Sequence, residues 1–339
     1  MDCQFVSIIM PALNESKHIK EAIETIRPKS FDYEILVIDG GSTDKTRELV
    51  LELAAQDRRI KLIDNAARIQ SAGVNLGARL SDSRSDIFVR ADCHSIYPDH
   101  FIETCVTALI NKNCASVVVP MKTVGSGCLQ TAIAAAQNSY LGNGGSAHRL
   151  LSESGFVAHG HHAAFDRRIF LELGGYDETM VANEDAEFDF RLTARGHQIF
   201  MSAQATIGYV PRSNLVSLSR QYFHYGAGRA TNCRKHVLIP APRQIFPALI
   251  TTGVGSSLML SFLMPLALLF PAAYLISCLV YGFILGIRSQ SACHAIAGLA
   301  AIVMHMSWGA GFLYEFVRTV PSFLPSRLSK TVNISGKRK

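Results

Sequence analysis

Val6-Ser-Ile-Ile-Met-Pro-Ala-Leu-Asn-Glu15 and, after it, Glu34-Ile-Leu-Val-Ile-Asp-Gly-Gly-Ser-Thr-Asp44 decide the fold. Each opens on a short run rich in β-branched residues, which suit a strand, and closes on turn-forming and acidic residues. The glycines at 40 and 41 permit a tight turn, and the Ser/Thr after them can cap a helix. Working outward, residues 60–63, 87–89 and 116–119 repeat the apolar run. The stretches 15–27, 43–56, 70–80 and 98–112 between them have helical spacing and length. Alternation of this kind predicts an α/β domain, a parallel sheet with helices on both faces. Ligands of such sheets bind beyond the carboxyl ends of the strands.

Three groups fall at that edge: Pro11 to Glu15 after the first strand, Asp39 to Asp44 after the second, and Asp92-Cys-His94 after the fourth. No Gly-x-Gly-x-x-Gly and no Gly-x-x-x-x-Gly-Lys-Ser/Thr is present, so a dinucleotide site or a P-loop has no support. Carboxylates facing a nucleotide's phosphates repel them unless a cation lies between. Asp92 and His94 offer one hard oxygen and one imidazole, a pair suited to Mn²⁺ or Mg²⁺. A second acidic cluster, Asn183-Glu-Asp-Ala-Glu-Phe-Asp189, opens a helix. Glu187 and Asp189 read as ordinary acids near a helix start, favoured by its dipole. Glu184 and Asp185 come before it, after the loop-forming Gly174-Gly-Tyr-Asp-Glu178, where a carboxylate can take a proton from an attacking hydroxyl.

The remainder is a different kind of sequence. Charged residues are 18% of the 339 and hydrophobics 48%. Residues 245–287 hold no Asp, Glu, Lys or Arg, and residues 288–339 hold seven Lys/Arg against one acid, Glu315. Helix over the uncharged run is roughly 64 Å long against a hydrocarbon core of about 30 Å, about two crossings. Residues 289–314 form a third uncharged stretch, with Trp308 and Tyr314 as interface anchors. The basic tail favours a cytoplasmic end and anionic lipid headgroups, not nucleic acid. Three spans would separate the two ends, while an even number or a re-entrant piece keeps them together. The N-terminus lacks the basic and apolar regions of a signal peptide, which leaves the first domain in the cytosol. Eight cysteines without a Cys-x-x-Cys pair read as reduced thiols, with no disulfide framework or zinc site. The expected division is 1–235 catalytic, 236–317 interfacial and transmembrane, and 318–339 a basic tail.

Taken together and in order, these motifs resemble the family 2 inverting glycosyltransferases of the GT-A fold, over roughly residues 5–235. Arg68-Ile-Gln-Ser-Ala, Ala136-Gln-Asn-Ser, His159-Gly-His-His162 and Gln221-Tyr-Phe-x-Tyr-Gly-x-Gly-Arg229 are similar to the succinoglycan-type glucosyltransferases within it. The resemblance implies a UDP-sugar donor and a polyprenyl-diphosphate-linked saccharide acceptor at the bacterial inner membrane, with β-1,3 glucosyl transfer on the cytoplasmic face. It implies that Asp39 reads uracil, that Pro11, Glu15 and Arg68 belong to the donor pocket, and that Asp92 holds a divalent cation. Arg90 stands where the family's first acid usually is. His94 is therefore the expected companion ligand, or Arg90 meets the diphosphate directly. Asp185 matches the general base, with Glu184 beside it. His161 and His162 read as pocket lining near phosphates or acceptor. Gln221, Tyr222 and Arg229 read as an interfacial helix holding the lipid-linked acceptor. Arg220-Gln-Tyr-Phe replaces the Gln-x-x-Arg-Trp of processive members, which favours addition of one sugar.

Other readings fit less. Another lipid or polysaccharide acceptor is the nearest alternative. A non-catalytic nucleotide-sugar-binding membrane protein would keep Asp39 but has no use for Asp185. A transporter would carry its polar residues inside the spans, where only His294 and His305 are ionisable.

Overall fold

The computed structural model describes residues 5–145 and 153–319, save the side chains of His162 and Thr319. The first half alternates as the sequence predicts: β1 (Phe5–Ala12), α1 (Ile19–Thr25), β2 (Asp32–Asp39), α2 (Thr46–Gln56), β3 (Ile60–Asp64), α3 (Gln70–Leu80) and β4 (Ile87–Arg90). There follow β5 (Ser95–Ile96), α4 (Phe101–Lys112), β6 (Ser116–Val119), β7 (Met121–Thr123), α5 (Gly127–Gln137) and α6 (Tyr140–Asn143). The second half brings β8 (Gly155–Val157), β9 (His161–Asp166), α7 (Arg167–Glu172), α8 (Glu184–Ala194), β10 (Ile199–Met201), β11 (Ile207–Tyr209) and α9 (Leu215–Lys235). Four further helices close the described chain: α10 (Pro242–Leu260), α11 (Leu269–Arg288), α12 (Ala292–Ala295) and α13 (Ala297–Thr319).

The main sheet has the order β3-β2-β1-β4-β9-β6-β10-β8. It is mixed, which corrects the expectation of a parallel sheet. β1 to β4 run parallel, but β9 enters antiparallel between β4 and β6. Its register sets His161 opposite Val119, so the start of β9 lies at the same edge as the carboxyl ends of β4 and β6. Side chains alternate across the sheet as a period of two requires. Val6, Ile8 and Met10 enter one apolar layer while Ile9, Leu36 and Ile38 enter the other. Burying each such side chain is worth about 1.5–3 kcal/mol. In the second layer Phe88 stacks on Phe165 at 4.8 Å, and Phe170, Tyr176 and Phe188 pack edge-on around them. That aromatic block is the floor beneath the acidic residues.

The C-terminal helices are not separate from this domain. α13 runs along α9, with the Ser219 and Ser307 hydroxyls 2.8 Å apart near one end and Arg234 paired to Glu315 at 3.4 Å near the other. Glycine makes the approach possible: a Cβ at Gly226 would lie 2.0 Å from the Trp308 carbonyl, and one at Gly311 2.0 Å from the Phe223 carbonyl. The amino end of α13 also packs on α5, where Ala297, Ala300, Ala301 and Met304 join Ile133 and Ala136 in a third apolar cluster. Helices α11 and α13 are long and apolar enough to cross a membrane. They differ in setting, since 17% of the apolar window containing α11 is buried and 44% of that containing α13.

Trp308 is partly buried and stacks on Phe312 at 5.3 Å. One expectation changes here. Cys128 of α5 and Cys293 of α12 form a disulfide, against the expectation of reduced thiols throughout. The packing of α12 on α5 brings their Cα atoms to 5.0 Å across a separation of 165 residues, a proximity that cysteine spacing cannot reveal. The basic tail beyond residue 319 lies outside the described residues.

Candidate active site

The carboxyl edge of the sheet assembles in two adjoining parts. The first is built on the turns after β1 and β2. Asn14 donates its backbone N–H to Ser42 Oγ at 2.9 Å, and Thr43 N–H donates to Asn14 Oδ1 at 2.8 Å, so the two turns brace each other. Asp39 is buried at the end of β2 and accepts from Gly41 N–H, Ser42 N–H and, at 2.7 Å, Arg47 Nη1. Burial pushes its carboxyl up, but the bonds from Ser42 and Arg47 outweigh it and hold the group below the ordinary carboxylate range. Arg68 takes a positive φ and lays its guanidinium against Gly41. Pro11 pairs with Ile38, one step before the Ala12–Asp39 pair that ends the ladder of β1 and β2. Glu15 fixes its N–H on Thr46 Oγ1 at 2.8 Å and meets His94 Nδ1 at 3.0 Å. The contact with Glu15 raises the His94 pKa above its ordinary value.

The second part is a cavity of about 780 Å³ lined by Arg90, Asp92, His94, His161, Glu184 and Asp185 on its polar side. Asp92 accepts from Gln70 Nε2 at 3.0 Å and lies 3.5 Å from Arg90 Nε and 3.8 Å from His161 Nε2. Arg90 is 6% exposed and also faces Glu184 at 3.6 Å and the Tyr176 hydroxyl at 3.4 Å. It is a buried cation placed between two carboxylates. Burial pushes the Asp92 carboxyl up, yet Arg90 and His161 hold it below its ordinary value. Burial and the neighbouring Asp185 raise Glu184. Glu184 and Asp185 sit in the first turn of α8, entered through Asn183 at positive φ, whose Nδ2 donates to the Tyr225 carbonyl at 2.9 Å. One bond thus orients the acidic pair against α9.

Of the residues expected at the site, the cavity joins Arg90, Asp92, His94, His161, Glu184, Asp185, Gln221 and Tyr222. Pro11, Glu15, Asp39 and Arg68 stand in the adjoining turns instead. Arg229 is outside the lining; burial depresses its guanidinium, with the field of Asp185 opposing. The backbone of His162 pairs with Val118 in β9, and its side chain lies outside the described residues. Gln221 donates to the Tyr209 hydroxyl at 2.8 Å and the Tyr225 hydroxyl at 2.9 Å, leaving Oε1 buried with no partner among the described residues. Glu187 and Asp189 are no solvated helix-start acids. Glu187 is fully buried under Arg191, Lys235 and His236, and Asp189 holds His159 Nδ1 at 2.7 Å. Sequence reasoning missed Gln70 and Asn183 as site residues; the first lies within the quoted Arg68-Ile-Gln motif, and nothing local marks the second. Among the described residues no three His, Cys, Asp or Glu side chains gather at metal distance.

The cavity does not end at the acids. It continues past Tyr222 and Tyr225 to Phe246, Pro247, Met304 and Trp308 of α10 and α13, so the polar edge opens directly onto the apolar helices.

Comparison with known proteins agrees with this arrangement. The succinoglycan biosynthesis protein ExoA of Rhizobium meliloti (strain 1021) is 41% identical over 312 residues, 91% of this chain and 94% of that one. An Escherichia coli UDP-Glc:alpha-D-GlcNAc-diphosphoundecaprenol beta-1,3-glucosyltransferase, WfgD, is 32% identical over 115 residues, 33% of this chain and 44% of the relative. The mannosyltransferase PcManGT from Pyrobaculum calidifontis, solved with GDP-Man and Mn²⁺, superposes with a TM-score of 0.57 at 18% identity, over 92% of this chain and 86% of that one. The family profile of glycosyl transferase family 2 matches residues 7–174. Sheet order, acidic edge and relatives agree, and the chain belongs to glycosyl transferase family 2, an enzyme of sugar transfer on a GT-A fold with apolar C-terminal helices.

Proposed function

We propose that this protein transfers one glucose, in β-1,3 linkage, from UDP-glucose to a polyprenyl-diphosphate-linked sugar in the biosynthesis of a succinoglycan-like exopolysaccharide. The reaction takes place at the bacterial inner membrane, with the catalytic domain facing the cytoplasm. The observation that carries this reading is the continuous cavity, acidic at Asp92 and Asp185 and apolar at Phe246 and Trp308. A soluble acceptor has no need of the second half. The activity that WfgD is named for, β-1,3 glucosyl transfer from UDP-Glc to a diphosphoundecaprenol-linked sugar, and the 41% identity to ExoA support the donor, the linkage and the pathway.

In this reading Asp39 and the braced turns receive the uracil end of the donor, and the diphosphate lies toward Asp92. Asp185 takes the proton of the acceptor hydroxyl as that oxygen bonds to C1. The C1–O bond to UDP breaks on the opposite face with inversion, and UDP leaves with the electron pair. No second acid is needed, because the leaving group is already an anion. A divalent cation, Mn²⁺ or Mg²⁺, fits one hard carboxylate and one imidazole: Asp92 would hold it with His161, whose Nε2 lies 3.8 Å from Asp92, or with His94, whose Nδ1 Glu15 would orient. When bound, it neutralises charge on the departing diphosphate.

The test is a transfer assay with purified protein, radiolabelled UDP-glucose and a galactosyl-diphospho-polyprenol, with and without each cation. Label entering the lipid fraction as one added sugar is the expected result. Absence of transfer by folded protein that still binds UDP would overturn the acceptor, and absence of UDP binding would overturn the donor.

A further inference from the structure

The cavity is also lined by two guanidinium groups that the mechanism above does not use. Arg212 comes from the segment joining β11 to α9, and Arg243 from the first turn of α10. Both are exposed to the cavity, and neither makes an ion pair or side-chain hydrogen bond among the described residues. Four other cations near the cavity are engaged or walled off: Arg90 by Asp92 and Glu184, Lys235 by Asp177 and Glu187, Arg234 by Glu315, and Arg229 behind the lining. The place of Arg243 is built in. Gly144 has a φ of +58°, and a Cβ there would come within 3.0 Å of Arg243 Cβ, so the end of α6 is cut away where α10 lays this side chain. One turn further on, Phe246 and Pro247 begin the apolar wall, which Met304 and Trp308 complete from α13.

We infer that Arg212 and Arg243 bind the diphosphate of the lipid-linked acceptor and set the enzyme's preference for a diphosphate over a neutral lipid. This rests on the proposed transfer to a lipid-linked sugar and names how that acceptor is recognised. One cavity thus holds acids, two cations and an apolar wall, with Arg212 within electrostatic reach of His94 and Arg243 one turn from Phe246 and Pro247. A polyprenyl-diphosphate sugar carries a hydroxyl, a diphosphate and a hydrocarbon, one group for each of these surfaces. Guanidinium is the side chain best shaped for a phosphate, since its planar fork gives two parallel charge-assisted hydrogen bonds. Two arginines answer the charge of a diphosphate. The apolar wall beyond them accounts for the first part of the chain, where burial of each CH₂ is worth about 0.8 kcal/mol. The donor's own diphosphate is the competing source of the same chemistry, and the experiment separates the two.

Trp308 is the sole tryptophan of the chain and lines the apolar end, so its fluorescence reports occupancy without a label. Farnesyl diphosphate should change that emission saturably, and farnesol should do so only at far higher concentration. Arg212→Gln and Arg243→Gln should each weaken farnesyl diphosphate by about tenfold or more, the loss of one charge-assisted contact. Arg243→Lys should recover part of that loss. UDP affinity, measured by calorimetry, should stay at the wild-type value in all three. Equal binding of farnesol and farnesyl diphosphate, or unchanged binding in both glutamine variants, would overturn the inference. So would a parallel loss of UDP affinity, which would assign the arginines to the donor. If the wild type moves no sugar to lipid yet shows arginine-dependent farnesyl diphosphate binding, the transfer reading fails and this one stands. Transfer with arginine-independent binding sinks this one alone.

Discussion

At the scale of single residues, Asp185 and Arg90 carry the chemistry in opposite ways. Asp185 faces the cavity from the first turn of α8, and in the proposed mechanism it accepts the proton of the acceptor hydroxyl. Asp185→Asn keeps shape and hydrogen bonding but removes the basic oxygen, so we expect kcat to fall by about 10²–10⁴ while UDP binding persists. Turnover near wild type would remove Asp185 from its role. Arg90 is instead a structural cation between Asp92 and Glu184. Arg90→Gln strips a buried charge from two carboxylates, and breaking such a pair costs about 3–5 kcal/mol. The pH dependence fixes the sign. Glu184 already lies above its ordinary value, chiefly through burial, and without Arg90 it rises further. A carboxyl raised in the folded state favours folding when protonated, so the variant should regain stability relative to wild type as pH falls from neutral toward about 5. Denaturant melts across that range check this; an equal deficit at both ends would sink the account. The identity of Arg90 as a departure from the family pattern was legible from the sequence, but its second partner was not. Nor was the arrival of His161 beside Asp92, at 3.8 Å. His94 is two residues away in sequence, yet β5 and its approach turn it to Glu15, whereas His161 arrives from an antiparallel strand.

At the scale of elements, legibility followed locality. β1 to β4, β6 and the helices between them are where the periodicity puts them, because each is a run of β-branched residues or an amphipathic stretch whose preference agrees with its place. β9 reads His-His-Ala-Ala-Phe-Asp, with no β-branched residue, and becomes a strand only because β4 and β6 offer it edges on both sides. A signal of that kind lies in the partners. The same holds for α8 and α9, joined by a charge that looked like an ordinary helix-start acid. Glu187 meets Arg191 at 2.7 Å, Lys235 at 2.7 Å and His236 at 2.9 Å while fully buried. Burial pushes its carboxyl up, and the hydrogen bonds from Arg191, Lys235 and His236 bring it below its ordinary 4.5. A depressed carboxylate contributes stability that is present above its unfolded value and is lost as pH falls through the folded one. Glu187→Gln should therefore cost about 3–5 kcal/mol at neutral pH, since Arg191 and Lys235 lose their counter-charge. The gap to wild type should narrow in melts taken below about pH 4.5. A gap independent of pH would mean that packing, not charge, joins α8 to α9.

At the scale of the molecule, the question is which apolar helices meet lipid. Sequence arithmetic counted uncharged residues and left open how many cross, because hydropathy does not distinguish a helix facing lipid from one facing protein. Packing distinguishes them. α13 has Ala297 on α5 and Glu315 on Arg234 of α9, so both of its ends are held by the catalytic domain. α10 leaves that domain beside α13, and α11 returns to it, where α12 is tied to α5 through Cys293. The far end of this hairpin exposes Phe262 at 87% and Leu263 at 82%, amid a run without a charge. Each arm is roughly 28–30 Å long at 1.5 Å per residue, the depth of a hydrocarbon core. We therefore expect α10 and α11 to enter the bilayer as a hairpin, with α13 as the strut beside it and the turn at Ser289 on the side of the catalytic domain. Ser289→Cys, made with Cys3→Ser and Cys233→Ser so that neither native thiol contributes, tests this with a membrane-impermeant maleimide. Labelling should occur in inside-out vesicles and be absent from right-side-out ones. The reverse pattern would place the turn across the membrane, make α11 and α13 the crossing pair, and require α13 to separate from α9 along its whole length. That separation would open the two glycine contacts and the wall that Trp308 gives the cavity, so one labelling experiment also tests whether the acceptor's hydrocarbon has the binding surface described.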